Sequence, residues 1–274
     1  LILLHHSPNE RIYAMLKGRK LFSDVLVIAH HFEMVPCISA IAPRWLKEVY
    51  RKDIARFDEV WHQLWICHIL GHLPCVKQTI LRMVSHARLN SRDELLGFGA
   101  QDDQPFSSFA PLKALEILDD IAKCRLDVMN KLRSLVENAI NALSDSPKTT
   151  PLRPNGGHLC RAIDEGEGVR RRCDKLLLGN LHSELRANRW NNQDLRGSPF
   201  SLHKRITMIA KRAVEACRPD DWKESTDCHS HCLPFGDVWP SLDTIINEEI
   251  EKIDFGKEAF AARAATLGFR NVNW

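Results

Sequence analysis

The sequence predicts a mainly α protein, an irregular multi-helix bundle with a long central helix and a C-terminal helical lobe. Three observations lead there. Apolar residues return at spacings of three and four through most of the 274 residues, the period that gathers them on one face of a helix. Ser, Pro and Gly stand where such segments begin and end, as helix start and stop signals do. After the opening "LILL" no run alternates apolar and polar residues in the manner of a half-buried strand.

The elements follow in order. "SPNERIYAML" places Ser7 as N-cap, Pro8 at the first helical position and Glu10 at the third, a well-specified start. A helix from about Lys20 to Phe32 carries Leu21, Val25, Ile28, Ala29 and Phe32 as its buried stripe. In "VPCISAIAPRWLKEVY" Pro36 marks a start, and Pro43 inside the pattern predicts a kink or a break. "RFDEVWHQLWICHILGHLPCVKQTILRMVSHAR" reads as a helical hairpin. Val60, Trp61, Leu64, Trp65, His68 and Ile69 form one stripe, Gly71 ends that helix, and Pro74 opens the next, whose stripe is Val76, Ile80, Leu81 and Val84. Asn90 to Ser107 lacks periodicity and reads as a surface loop.

Pro111 to Leu143 carries the strongest signal. Leu115, Ala122, Met129, Val136 and Leu143 recur every seven residues, flanked by Ile121, Val128, Leu135 and Ala142. This width suits a bundle core rather than a two-stranded coiled coil, and the helix would be about 50 Å long. Residues 144–168 are rich in Pro and Gly and form the best boundary. Beyond it come "VRRRCDKLLLGNLHSELRANRW", a helix opened by Ser198 and Pro199, and closing helices from about Pro240 and Lys257. The organisation expected is residues 1–54, 55–146, a linker at 147–168, and a lobe at 169–274.

Composition narrows the function. Lys plus Arg is 38 against 35 Asp plus Glu, a net charge of +3, too small for global attraction to nucleic acid or an anionic membrane. No apolar run reaches the roughly 20 residues that span a bilayer. The opening residues lack the basic start of a signal peptide, so an intracellular chain, nuclear or cytoplasmic, is expected. The absence of an initiator Met suggests a piece of a longer protein. Of nine cysteines, Cys37, Cys67, Cys75 and Cys124 fall in apolar helix-like stretches, where free Cys acts as a small hydrophobe. A disulfide framework is not expected.

"LFSDVLVIAHHFEMVPCISAIAPRWLKEVY" resembles the end of the BTB/POZ fold in a large group of fungal BTB-domain proteins. "AHHFEM" stands for their "aDKYd"-like motif, and Ala42, Pro43, Arg44 and Trp45 for "llrPWa..W". "LWICHILGH", "CRLDVMNKL", "CDKLLLGNLHSEL" and the "HC" before Leu233 resemble later elements in the same order. His30, His31 and Phe32 replace the acidic-Lys-Tyr core of the first motif, and the initial β-strands of a BTB fold are absent. The resemblance implies protein association for the parent protein and supplies no general biochemical role for the helical remainder.

"CHSHC" at residues 228–232 raises the question of metal. Zinc takes four Cys or His ligands, usually as two close pairs. His229 and Cys232 form one pair, with Cys228 and His231 as alternates, and Cys160 and Cys173 are candidates for the second. Their twelve intervening residues are wide for a ligand pair, and free thiols with polar loop histidines are the competing reading. In the resembling family a Cys precedes the "CDaLLLG" helix and a His and Cys follow the next, which implies the same set. Such zinc would be structural.

Cys67, His68, His72 and Cys75 form a second cluster, but core packing and a histidine at a helix C-terminus explain it without metal. Arg170, Arg171 and Arg172, with Lys175, spread around a helix start, and nucleic acid is not an expected partner. Trp190, Trp222 and Trp239 lie in loops or at helix starts, where a partner surface is more readily formed than by the bundle tryptophans. No G-x-S-x-G, H-E-x-x-H or Walker pattern occurs. The expectation is a non-catalytic protein-interaction or scaffold module. Its alternative is a zinc-stabilised regulatory module touching nucleic acid through Arg170 to Lys175.

Overall fold

A computed structural model of the chain describes residues 19–38, 42, 60–96, 105–113, 115, 117–144, 167–190, 195–216 and 240–266. Helix accounts for 78% of them, and the only sheet among them has two short strands. In order, the α-helices are α1 (Arg19–His31), α2 (Val60–Ile69), α3 (Leu73–His86), α4 (Ala110–Lys113), α5 (Leu118–Ser144), α6 (Glu167–Ala187), α7 (Pro199–Glu215), α8 (Leu242–Ile250) and α9 (Lys257–Thr266). The strands are β1 (Arg88–Leu89) and β2 (Leu95–Leu96). The Ser7 helix start and Pro43 fall outside the described residues. The chain forms two compact units, Leu1–Arg125 with Ile246–Trp274, and Leu126–Ile245.

The first unit is organised around α2. Val60, His62, Gln63, Leu64, Trp65, Ile66, Cys67 and Ile69 are all buried, so this helix is enclosed on nearly every side rather than along the single stripe its spacing predicts. A short helix without Asp, Glu, Lys or Arg can be surrounded in this way without burying a permanent charge. It ends as the sequence predicts. Gly71 adopts φ +72°, its N–H donates to His68 O at 3.1 Å, and the His72 N–H donates to Cys67 O at 2.9 Å. These are the two bonds of a Schellman turn, which needs a left-handed residue at this position. The chain then re-enters helix at once, with Pro74 in the first turn of α3 and the His72 ring as N-cap, its Nδ1 accepting from the Cys75 N–H at 3.2 Å.

That tight reversal brings Cys67 and Cys75 together. Their Cα atoms lie 5.9 Å apart and the sulfurs are bonded, which corrects the expectation of free thiols at these two positions. Eight residues of separation gave no hint, because the closeness arises from the turn. Gln63 Nε2 approaches Cys75 Sγ at 3.6 Å. Changing both cysteines to serine should cost about 2 kcal/mol, the low end for a disulfide closing a short loop. In the wild-type protein, alkylation of the denatured chain without reductant should leave both residues unmodified, as peptide mapping by mass spectrometry would register. Cys124 is buried as expected, whereas Cys37 is exposed.

α1 packs on α2, and its buried apolar residues are Phe22, Leu26 and Ala29. This phase differs from the predicted stripe. Ile28 is 59% and Phe32 64% exposed, because α1 has apolar residues on two faces and local spacing cannot choose between them. The described residues of 90–107 also differ from a plain loop. β1 and β2 pair antiparallel, Arg88 with Leu96 and Leu89 with Leu95, around a turn in which Asn90 Oδ1 accepts from the N–H groups of Arg92 and Glu94. Leu95, Leu96 and Phe106 are buried beside it. Two-residue strands are too short for an alternating pattern to register.

α5 starts at Leu118 rather than Pro111 and runs 27 residues, about 40 Å. Asp119 and Asp120 occupy its first turn, where the helix dipole favours negative charge. Met129, Val136 and Leu143 of the seven-residue series are buried, together with Val128, Leu132, Ala139 and Ala142. In the second unit α6 packs on α7. Cys173, Leu177, Leu181 and Leu185 form the inner face of α6, and Leu202, Ile206, Ile209, Ala210 and Ala213 that of α7. α7 opens as predicted, with Ser198 Oγ accepting from the Ser201 N–H and Pro199 in the first turn.

Candidate functional site

Of the predicted zinc ligands, Cys160, Cys228, His229, His231 and Cys232 fall outside the described residues. Cys173 is buried on the inner face of α6. Among the described residues no group of three or more His, Cys, Asp or Glu side chains could hold a metal ion. The second cluster is accounted for by structure: Cys67 and Cys75 are bonded to each other and the His72 ring caps α3. Trp222 and Trp239 lie outside the described residues. Trp190 is 8% exposed and therefore belongs to the core, not to a partner surface. The physical reason is that a helix end followed by a loop still leaves a large ring to be covered.

Two surfaces stand out. The first is a flank of α1 continued by the residue after it, where Ile28 and Phe32 lie one turn apart and exposed. The second is the outer face of α6. Its exposed positions are Gly168, Arg171, Arg172, Lys175, Leu176, Gly179, His182, Ser183, Arg186 and Ala187. Three of these are Arg, one is Lys and one is His, with no acid among them. Arg171, Lys175, His182 and Arg186 fall within one arc of the helix, over about 22 Å. Sequence reasoning stopped at the arginine run and missed the two residues that extend it. The four-, eleven- and fifteen-residue offsets from Arg171 were the signal that could have found them.

A third feature combines elements distant in sequence. His30 of α1, Val35 and Pro36 of the 3-10 turn at Val35–Ile38, His68 and Ile69 of α2, Leu115, and Ala262 and Arg263 of α9 line a cleft of about 510 Å³. Arg263 Nη1 donates to His68 O at 3.2 Å, a cation at the C-terminal end of α2, where the helix dipole favours it. Its guanidinium lies 5.5 Å from the Phe260 ring centroid, and the His68 ring meets the same phenyl edge-on at 5.0 Å. His30 stands edge-on to Trp65 at 5.5 Å. Burial first, then the Arg263 charge and His30, hold the His68 pKa down at about 4, so its imidazole is neutral near pH 7.

This has a consequence for stability. Burial likewise lowers the pKa of His72 and of His203, the latter partly opposed by Asp243. Each ring binds its proton more readily in the unfolded chain, so acid favours unfolding. Stability should therefore be full above the unfolded histidine value of 6.5 and fall as pH drops below it, levelling for His68 near 4. The His68 part is roughly 2 kcal/mol, allowing for solvent screening of its partly exposed ring. Urea unfolding at several pH values should show this slope, and His68→Gln should flatten it.

No family model, curated protein or solved structure matches this chain. No helix of the described residues is long and apolar enough to cross a membrane.

Proposed function

We propose that this chain is a non-catalytic protein-interaction or scaffold module of a BTB-type protein. The observation that carries the reading is α1. Its inner residues Phe22 and Leu26 are fully buried, while Ile28 and, just past the helix end, Phe32 stand open on a separate flank. An exposed pair of large apolar side chains on a helix that already has a buried face is the kind of surface a partner covers. The segment is also the one whose residues resemble the end of the BTB/POZ fold, so the resemblance and the exposure point to the same place.

The test is a double variant, Ile28→Asp with Phe32→Asp, compared with wild type in affinity capture. The partner most enriched by wild type, once purified, should bind it directly and bind the double variant at least about tenfold more weakly, with unchanged helicity by circular dichroism. Equal binding to both proteins refutes the reading.

A second reading, contact with nucleic acid through the Arg170–Lys175 region of a zinc-stabilised module, draws support from the exposed basic residues of α6, which have no exposed acid among them. Neutralising phosphates releases counterions, so retention on DNA should fall steeply with salt. Replacing Arg170, Arg171 and Arg172 by alanine should flatten that dependence. Binding that is weak at low salt, or indifferent to the substitutions, removes this reading. Its zinc, held by Cys160, Cys173, His229 and Cys232, would appear in elemental analysis of protein purified without added metal and vanish in Cys160→Ser and Cys232→Ser.

A further inference from the structure

We infer that the cleft between α1, α2 and α9 is a binding site for a small monocarboxylate, whose oxygens meet the Arg263 guanidinium and whose apolar body lies against Val35, Pro36, Ile69 and Leu115. This is independent of the protein-interaction reading and of α6.

The volume of about 510 Å³ lies in the range of small-molecule sites, which combine apolar walls with a few polar groups that fix orientation. Here the walls are aliphatic and the polar groups are three: His30, His68 and Arg263. No carboxylate lines the cleft among the described residues, so the guanidinium meets no acidic neighbour there. Arg263 is also held in place. The hydrogen bond to His68 O and the Phe260 ring beneath it restrain the side chain before any ligand arrives. Restraint of this kind removes much of the entropy cost of ordering a long side chain on binding. One Nη1 hydrogen is used in that bond, and a guanidinium carries five donors in a fork that fits the two oxygens of a carboxylate.

The charge count selects the ligand. Arg263 is the one permanent cation on the described lining, and His68 is a neutral imidazole near pH 7. A single positive charge balances a monocarboxylate. A phosphate dianion would leave charge uncompensated in a half-enclosed site. The neutral His68 ring, whose buried Nδ1 has no hydrogen-bond partner among the described residues, leaves the ligand's one negative charge to Arg263.

The experiment uses the whole chain and calorimetric titration with 3-phenylpropionate, its amide 3-phenylpropionamide, and phenyl phosphate, all at up to millimolar concentration. The acid should bind, the amide should bind roughly tenfold to a hundredfold more weakly, and phenyl phosphate should not exceed the acid. Arg263→Met keeps the stem over Phe260 and should lose the preference for acid over amide. Arg263→Lys keeps the charge without the fork and should retain only part of it. Circular dichroism and the urea midpoint confirm that each variant is folded. Absence of acid binding, equal binding of acid and amide, tighter binding of the phosphate, or an Arg263→Met protein that still prefers the acid overturns the proposal.

Discussion

Gly71→Ala is expected to destabilise the protein by about 3 to 5 kcal/mol, combining the left-handed backbone penalty with overpacking. The residue sits at φ +72°, where an L side chain crowds its own carbonyl. A Cβ there would also lie 2.9 Å from each of Ala264 N, Arg263 Cβ and Phe260 O. Two of those atoms belong to the α9 backbone, and a helix cannot move one peptide aside without shifting its neighbours. The buried Phe260 side chain and the Arg263 guanidinium would be displaced together. Urea unfolding should show the loss, and amide exchange across Lys257–Thr266 should accelerate. Gly179 provides the contrast. It lies within α6 with nothing within 4 Å of a Cβ, so Gly179→Ala should stabilise by up to about 1 kcal/mol. A loss under 1 kcal/mol for Gly71→Ala would show that α9 does not rest on this turn.

The second large effect concerns Arg125. It is fully buried in α5, and its Nε donates to Ala87 O at 3.0 Å, just past the end of α3. Ala87 is the C-cap of α3, so the guanidinium supplies a donor where a helix leaves carbonyls without one. Truncation to alanine removes that donor and opens a cavity, and should cost about 3 to 5 kcal/mol. Arg125→Met refills much of the volume without a charge to desolvate. Its cost should be smaller by at least about 1 kcal/mol, since apolar replacements of buried ions are often tolerated. Equal losses for the two variants, read from chemical denaturation, would mean that the hydrogen bond outweighs the packing.

Element types and several boundaries were legible in the residues. Gly71 and Pro74 marked the hairpin, Ser198 and Pro199 marked α7, and the recurrence through Met129, Val136 and Leu143 marked α5. These signals act over a few residues, through φ preference and capping, so they survive without tertiary context. The start of α5 was misplaced because apolar spacing continues upstream of Asp119, and only the acidic first turn separates the two segments. The basic face of α6 was partly legible, because a solvent-facing arc repeats with the helix period alone.

What the chain determined by itself is therefore a set of helices and the punctuation between them. Tertiary structure decided the rest: that α1 buries Phe22 and Leu26 while exposing Ile28 and Phe32, that Cys67 meets Cys75 across a tight turn, and that His30, His68 and Arg263 share a cleft. Those outcomes depend on which surfaces close against one another. Burial is a property of residues far apart in sequence, and a helix with two apolar faces holds no local information about which one will lose its water.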